Sequence, residues 1–122
     1  MSLTRRQFVT AISGIAGVWV GAHRGLSAAT WRRGGDAPTR RSEVAAVVLG
    51  GKIYVVGGEA PEGTFAQVEI FDPVANRWTR GPDLPTPRHG LGVVEHQGRL
   101  YVLAGGPTPG GSTSAAVEIL EP

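Results

Sequence analysis

The sequence contains no cysteine, so disulfide bonds and thiolate metal sites are both excluded. Charge is also sparse: charged residues make up 18% of the chain, and the formal net charge is +2. Three of the arginines precede residue 30, and residues 30–122 carry nine basic and ten acidic side chains. This balance predicts no basic face for nucleic acid. A chain of 122 residues has room for one small domain at most.

The N-terminal 29 residues lack an apolar run long enough to cross a membrane. The run from Phe8 to Ala22 contains three glycines and is shorter than the ~20 residues that a spanning helix needs, so no permanent membrane span is predicted. Arg5 and Arg6 precede Phe8, and this order resembles the twin-arginine export signal. Small residues before Thr30 suit cleavage there.

The resemblance to an export signal implies that residues 1–29 form a signal-peptide helix. The twin-arginine export machinery would recognise it through Arg5, Arg6 and Phe8. The mature protein, residues 30–122, is then expected in the periplasm or outside a prokaryotic cell. An ordinary amphipathic or buried helix with two chance arginines is the alternative interpretation.

From residue 30 onward the sequence repeats itself. Three pairs coincide after a shift of 47 residues: Arg41 with Arg88, Gly51 with Gly98, and Tyr54 with Tyr101. If Ala104 is an insertion in the second copy, the double glycine Gly57-Gly58 aligns with Gly105-Gly106. After one more insertion, Val68–Ile70 aligns with Val117–Ile119. Self-similarity at a fixed period indicates a repeat architecture.

Each repeat predicts short β-strands separated by turns. The continuous apolar run Val44–Leu49 is typical of a strand buried on both faces, and Gly50-Gly51 suits a two-residue hairpin turn. The next strands are expected at Lys52–Val56, Val68–Phe71 and Arg77–Thr79. The second copy predicts strands at Leu91–Glu95, Arg99–Ala104 and Val117–Leu120, and its fourth strand is expected at 31–33, around Trp31.

This ordered set of strands, glycines, aspartate and tryptophan resembles the kelch repeats that form the blades of kelch β-propellers. The resemblance implies an all-β fold, namely a kelch-type β-propeller segment of four-stranded antiparallel blades. A complete blade is expected at 41–80, and a partial blade at 88–122. The residues that match the motif, and are expected to have structural roles, are Trp31, Tyr54, Gly57, Gly58, Asp72, Trp78, Tyr101, Gly105 and Gly106.

Two blades cannot close a propeller ring. Three or four copies of the chain could assemble into a six- or eight-bladed ring. Alternatively, the chain is a shortened piece of a longer kelch protein. Both interpretations predict apolar blade faces and strand edges that are exposed in an isolated copy.

Polar residues on the loops of one propeller face are the candidates for ligand contact, because such loops lie together. They are Arg40, Arg41, Glu59, Glu62, Arg88 and His89. The alternative is that they are solvated loop residues or contacts between blades. For Arg88 we expect hydrogen bonds to backbone or aromatic neighbours at the blade junction.

The sequence predicts neither a metal site nor a cofactor. His89 and His96 lack a ligand partner at regular spacing. Gly105–Gly111 is rich in glycine, but no Gly-Lys-Ser/Thr motif follows it, so it is not a phosphate loop. The family that the chain resembles also includes copper radical oxidases, and the absence of cysteine excludes their crosslinked cofactor.

The interpretation we favour is an exported interaction module that binds protein or carbohydrate. The alternative is a cofactor-free sugar mutarotase resembling N-acetylneuraminate epimerase. No catalytic residue is assigned, because no motif of that family is matched residue by residue.

Overall fold

The structure is a computed structural model, and it describes residues 28–122. The predicted export signal, with Arg5, Arg6 and Phe8, lies outside the described residues. Residues 32–122 form one unit. Every regular element within the described part is a β-strand, and no helix there is long and apolar enough to cross a membrane.

Nine strands are found within residues 28–122. In chain order they are β1 (Ala45–Leu49), β2 (Lys52–Val56), β3 (Glu59–Ala60), β4 (Gly63–Thr64), β5 (Val68–Asp72), β6 (Arg77–Arg80), β7 (Gly92–His96), β8 (Arg99–Leu103) and β9 (Val117–Leu120). The first blade is an antiparallel sheet in the order β1-β2-β5-β6, and the second blade has the order β7-β8-β9. A small hairpin of β3 and β4 extends from the first blade. The prediction of an all-β, propeller-type fold is confirmed, and the second blade has the three strands expected of a partial blade.

Tight turns join the first two strands of each blade. Gly50 and Gly51 have φ values of 58° and 74°, and two successive positive φ angles define the hairpin turn that matches strand twist. In the second blade Gln97 and Gly98 have φ values of 51° and 77°. The Gly98 N–H also donates to Glu95 Oε1 at 2.8 Å. The repeat therefore preserves the turn conformation although one glycine is replaced.

The structure corrects the predicted alignment of the double glycines. β8 ends at Leu103 and has the same length as β2, so Ala104 does not lengthen the strand. Ala104 occupies the place of Gly57, since their φ values are 55° and 63°. Both backbone N–H groups donate to the same position of the following loop, Gly57 to Gln67 and Ala104 to Ala116, at 2.9 Å each. The two extra residues of the second repeat therefore lie in the loop between Gly106 and Ala116.

The glycines at the ends of the central strands allow two backbones to approach closely. A Cβ added to Gly57 would collide with the carbonyl oxygen of Arg88 in the next blade. A Cβ added to Gly58 would lie 2.6 Å from the carbonyl oxygen of Ser42. Gly58 uses this proximity to donate its N–H to the Arg88 carbonyl at 2.8 Å. These contacts explain why side chains are excluded at this position of the first blade.

The hydrophobic core lies between the two blades. Val56 and Val68 of the first blade are 1% and 3% exposed. They belong to one buried cluster with Leu91 and Val102 of the second blade and with Leu84 of the connecting segment. Burial of side chains of this size contributes about 1.5–3 kcal/mol each. Packing of blade against blade therefore stabilises this part of the chain.

One face of the first strand is exposed to solvent. Exposure alternates along β1, and Val48 is 60% exposed. The expectation that this apolar run is buried on both faces is wrong within the described residues. The reason is that the first blade packs against another blade on one flank alone in this part of the chain.

The outer strand predicted at 31–33 is also not formed. Residues 28–37 have no regular structure, and Trp31 is fully exposed. A strand needs a neighbouring edge to accept its hydrogen bonds. The segment that follows bonds elsewhere: Arg33 pairs with Asp36 at 2.7 Å, and the Gly35 N–H donates to Asn76 Oδ1 at 3.0 Å.

Candidate functional site

Each blade contains one buried arginine–glutamate pair at the same position of the repeat. Arg41 donates to Glu69 Oε2 at 2.6 Å in the first blade, and Arg88 donates to Glu118 Oε2 at 2.7 Å in the second. The two arginine side chains are 2% and 0% exposed. Short hydrogen bonds between ionised partners are among the strongest in proteins, so these pairs fix the end of each central strand.

The same arginines bind backbone carbonyl groups within their blades. The acceptors are Gly57 and Val55 for Arg41, and Ala104 and Ala116 for Arg88, at 2.7–3.2 Å. We therefore correct the assignment of Arg41 and Arg88 to the ligand face, because their charged groups are buried and engaged. The hydrogen bonds to backbone groups that were expected for Arg88 are formed within its own blade, and Arg41 forms the equivalent bonds in the first blade.

His89 lies at the junction between the two blades. It exchanges two backbone hydrogen bonds with Gly106, at 3.0 and 2.9 Å. The next residue, Gly90, donates its N–H to the carbonyl of Glu43 at 2.9 Å, which brings the start of the first blade beside the histidine. Glu59 follows β2 and is anchored by a backbone bridge to the residue before Glu43. Three separate segments thus bring these side chains together.

Two glutamates and a carbonyl surround the imidazole of His89. Its Nδ1 lies 2.7 Å from Glu43 Oε2 and 3.7 Å from Glu59 Oε2. Its Nε2 lies 2.9 Å from the carbonyl oxygen of Thr108. His89 is 5% exposed, whereas the Glu43 side chain is 51% exposed. We refer to Glu43, Glu59 and His89 as the junction cluster.

The electrostatics of the junction cluster favour a positive charge on the ring. The hydrogen bond with the Glu43 carboxylate raises the pKa of His89 above its usual 6.5, and the bond to the Thr108 carbonyl acts in the same direction. Burial lowers this pKa by a smaller amount. Because both ring nitrogens face acceptors, both can donate a hydrogen bond only when the ring is protonated. One imidazole and two carboxylates can also ligate a metal ion.

A cleft of about 330 Å³ opens beside the junction cluster. Its walls are formed by Glu43, His89, Gly90, Ala104–Gly106 and Ser112–Ser114. The loop between β8 and β9 supplies the hydroxyl groups of this lining. The cleft therefore gives solutes access to the exposed side of Glu43.

Two other predicted candidates lie on the surface. Glu62 is exposed in the turn between β3 and β4, and Arg40 is exposed before the first blade. Glu59 and His89 are the two predicted candidates that the structure brings together. Arg40 and Glu62 are accessible to a ligand, and Glu62 belongs to no cluster of three potential metal ligands within the described residues.

Trp78 and Asp72 support the outer edge of the first blade. The Trp78 ring lies 5.0 Å from the Phe71 ring, and its Nε1–H donates to the carbonyl of Gly35 at 2.9 Å. Asp72 Oδ1 accepts two backbone N–H groups of the following turn at 2.9 Å each. The bond from Ala75 in particular lowers the pKa of Asp72 below 3.8. These contacts are structural, and none of them points to a ligand.

The two tyrosines of the motif lie on the central strands. Tyr54 packs against the core from β2. Tyr101 occupies the same place on β8, where its ring meets His96 edge-on at a centroid distance of 6.2 Å. Both side chains are half-buried, which is consistent with packing inside a blade.

Sequence reasoning missed Glu43 and therefore the junction cluster. The cluster arises where the two repeats differ, since a shift of 47 places Glu43 on Gly90 and Ser42 on His89. The available signal was a larger polar residue where the other repeat has a small one: Glu43 stands opposite Gly90, and His89 stands opposite Ser42. Their distance in sequence hid the contact, because Glu43 and His89 are 46 residues apart.

Comparisons with known proteins agree with the fold. Residues 40–85 match the family model of the kelch motif. No curated protein sequence matches the chain significantly. Among solved structures, that of YjhT is similar, with a TM-score of 0.60 and 24% sequence identity over 65% of this chain. The chain spans about a quarter of the length of that protein, since 25% of it is covered, so the likeness concerns the fold alone.

Proposed function

We propose that this chain is an exported segment of a kelch-type β-propeller and acts as an interaction module for protein or carbohydrate. The kelch match over residues 40–85 and the propeller-like fold support the module. The order of Arg5, Arg6 and Phe8 supports export through the twin-arginine machinery to the periplasm or the cell exterior. An interaction surface is favoured because the second blade presents an apolar face without a neighbour among the described residues.

The observation that carries the proposal is a difference in burial between equivalent positions. Val68 on β5 is 3% exposed, whereas Val117, its counterpart on β9, is 57% exposed. Ile70 packs against the buried cluster, while its counterpart Ile119 is 52% exposed. Adjacent exposed apolar side chains mark a surface that another protein element covers. We call Val117 and Ile119 the open flank.

A further blade is the partner that fits the open flank. It is either a blade of a longer protein or the first blade of another copy, so that three or four chains complete a ring. Ala104 bears on this choice. In the first junction a Cβ at Gly57 would collide with the carbonyl of the next blade, and Ala104 carries a Cβ at that position. A second junction must therefore be wider at this corner than the first.

Sedimentation velocity on the full chain and on charged variants tests the open flank. We expect the wild-type chain to associate, and the double variant Val117→Lys and Ile119→Lys to associate at least tenfold more weakly. Val74→Lys is the matched control, since Val74 is also exposed, at 96%, but lies in a turn of the first blade. Equal association of all three proteins would overturn the proposed surface.

Ligand binding is tested separately on the loop face. Binding of glycans or peptides that weakens in Arg40→Ala or Glu62→Ala would support the interaction module, because both side chains are exposed there. Mutarotation of free N-acetylneuraminic acid, followed by NMR, tests the enzyme alternative. Acceleration by the purified chain would replace the binding module with a cofactor-free mutarotase. If the chain shows neither binding nor acceleration, a functional role for this face is contradicted.

A further inference from the structure

We propose that the junction cluster of Glu43, Glu59 and His89 binds one divalent transition-metal ion of the zinc class and thereby ties the first blade to the second. The potential ligand atoms of the three residues lie within 4.8 Å of one another. The site is independent of the proposed function, since it lies between the two described blades and needs neither the open flank nor a ligand of the loop face.

Nε2 of His89 faces a backbone carbonyl group. It lies 2.9 Å from the carbonyl oxygen of Thr108. A carbonyl accepts hydrogen bonds and cannot donate one, so Nε2 carries the hydrogen. In the neutral ring the lone pair is then on Nδ1. Histidines that ligate metals commonly donate their other N–H to a backbone carbonyl, which fixes the tautomer and the ring orientation.

Nδ1 of His89 faces two carboxylates. They belong to Glu43, at 2.7 Å, and to Glu59, at 3.7 Å. Ionised carboxylates also act as acceptors alone, so a cation must lie between them and the Nδ1 lone pair. That cation is either a proton on Nδ1 or a metal ion bound by all three groups.

The Glu59 carboxylate distinguishes a proton from a metal ion at this position. A proton on Nδ1 satisfies Glu43 at 2.7 Å but does not reach Glu59 at 3.7 Å. Glu59 Oε2 is buried and has no hydrogen-bond partner within the described residues. A buried acceptor left unsatisfied costs about 1–3 kcal/mol, and more when it is charged. A metal ion that contacts all three side chains removes this unsatisfied oxygen, which a proton does not.

The donor atoms of the junction cluster, one nitrogen and carboxylate oxygens, indicate the kind of metal. Zinc takes histidine nitrogen and carboxylate oxygen at about 2.0–2.2 Å, whereas magnesium and calcium prefer oxygen alone. The mixed donor set therefore favours the zinc class. Ligand atoms around a tetrahedral ion of this class lie about 3.3–3.6 Å apart. Glu43 Oε2 must therefore move away from its 2.7 Å contact with Nδ1 to admit the ion, and the half-exposed Glu43 side chain has room to do so. Three protein ligands leave one coordination position, on the side of the cleft lined by Ser112–Ser114.

Calorimetric titration of the untagged full chain with zinc sulfate tests the site. We expect one ion to bind per chain, with no comparable binding of magnesium, and we expect zinc to raise the thermal unfolding midpoint. Glu59→Gln should weaken binding at least tenfold. Glu62→Gln is the matched control, since it lies three residues away on the same hairpin and is exposed. It should bind zinc as the wild type does.

A second pair of variants covers the histidine. His89→Gln should lose zinc binding, and His96→Gln, at the end of β7, should retain it. If His89→Gln does not fold, as judged by circular dichroism, Glu43→Gln gives the same test from a side chain that is 51% exposed. Absence of binding to the wild type, or unchanged binding in Glu59→Gln and Glu43→Gln, would overturn the metal site.

Discussion

The buried arginine of each repeat shows how one side chain organises a blade. Arg88 is 0% exposed and joins Glu118 to two strand-end carbonyls. Sequence reasoning identified Arg41 and Arg88 by their spacing but placed both on a ligand face. Their partners could have been found, because Glu69 and Glu118 are the charges that recur within an otherwise apolar third strand. The pairing itself depends on strand register, which the sequence did not reveal.

Removal of this arginine should destabilise the fold strongly. In Arg88→Met the Glu118 carboxylate loses its partner, and breaking a buried pair costs about 3–5 kcal/mol. We expect that loss in the free energy of unfolding, measured with denaturant. Arg80→Met is the control, because its pair with Asp83 is half exposed and such pairs contribute about 0–1 kcal/mol. Similar losses in both variants would contradict a structural role for Arg88.

The close backbone contact at Gly57 gives a second prediction at the residue scale. Gly57→Ala and Gly50→Ala both place alanine at a positive φ, 63° and 58°, which costs roughly 1–2 kcal/mol. Only the Cβ at Gly57 collides with another residue, the Arg88 carbonyl. Overpacking adds about 1–3 kcal/mol. Thermal unfolding should therefore show the larger loss for Gly57→Ala, and equal losses would refute the close approach.

Strands were the elements that could be predicted most fully. Lys52–Val56 and Val117–Leu120 have the predicted bounds, because β-branched runs end there at glycine or at the loops. The small hairpin of β3 and β4 was not predicted, since Glu59–Thr64 contains no alternating apolar pattern. The predicted end of β8, at Ala104, was one residue too late. Alanine rarely adopts a positive φ such as that of Ala104, so the sequence pointed to the double glycine that follows as the end of the strand.

The third strand of the first blade should make the fold sensitive to acid. Burial raises the pKa of Glu69, but the hydrogen bonds from Thr39 and Arg41, at 2.6 Å each, outweigh it and leave the pKa below 4.5. The ionised carboxylate therefore stabilises the fold above pH 4.5, and this contribution is lost as pH falls through the lower folded pKa. The free energy of unfolding should decrease below about pH 4.5.

A glutamine variant assigns that acid sensitivity to the third strand. Glu69→Gln should flatten the decrease below pH 4.5, because the group that titrates is gone. It should also be less stable at neutral pH, since Arg41 keeps a buried charge without its counter-ion. Glu62→Gln, on the exposed hairpin turn, should retain the wild-type pH profile. An unchanged profile in Glu69→Gln would show that another group controls acid unfolding.

Residues 32–122 form two blades of a repeating architecture, and the proposed association of copies should respond to one methyl group. Ala104→Gly removes the Cβ that prevents a junction as close as the one at Gly57. If another copy packs on the open flank in the manner of the first junction, this variant should associate more tightly, by about tenfold for each 1.4 kcal/mol of relieved overlap. Ala75→Gly, in an exposed turn, is the control. Unchanged association would exclude that packing.

Multi-angle light scattering of the purified full chain over a range of concentrations tests the proposed partner of the open flank most directly. We predict a mass above that of one chain, either three or four chains in a closed assembly or a mass that grows with concentration, because the open flank requires a neighbour. A constant single-chain mass at all concentrations, with cooperative unfolding, would contradict the proposal that the second blade packs against a further one.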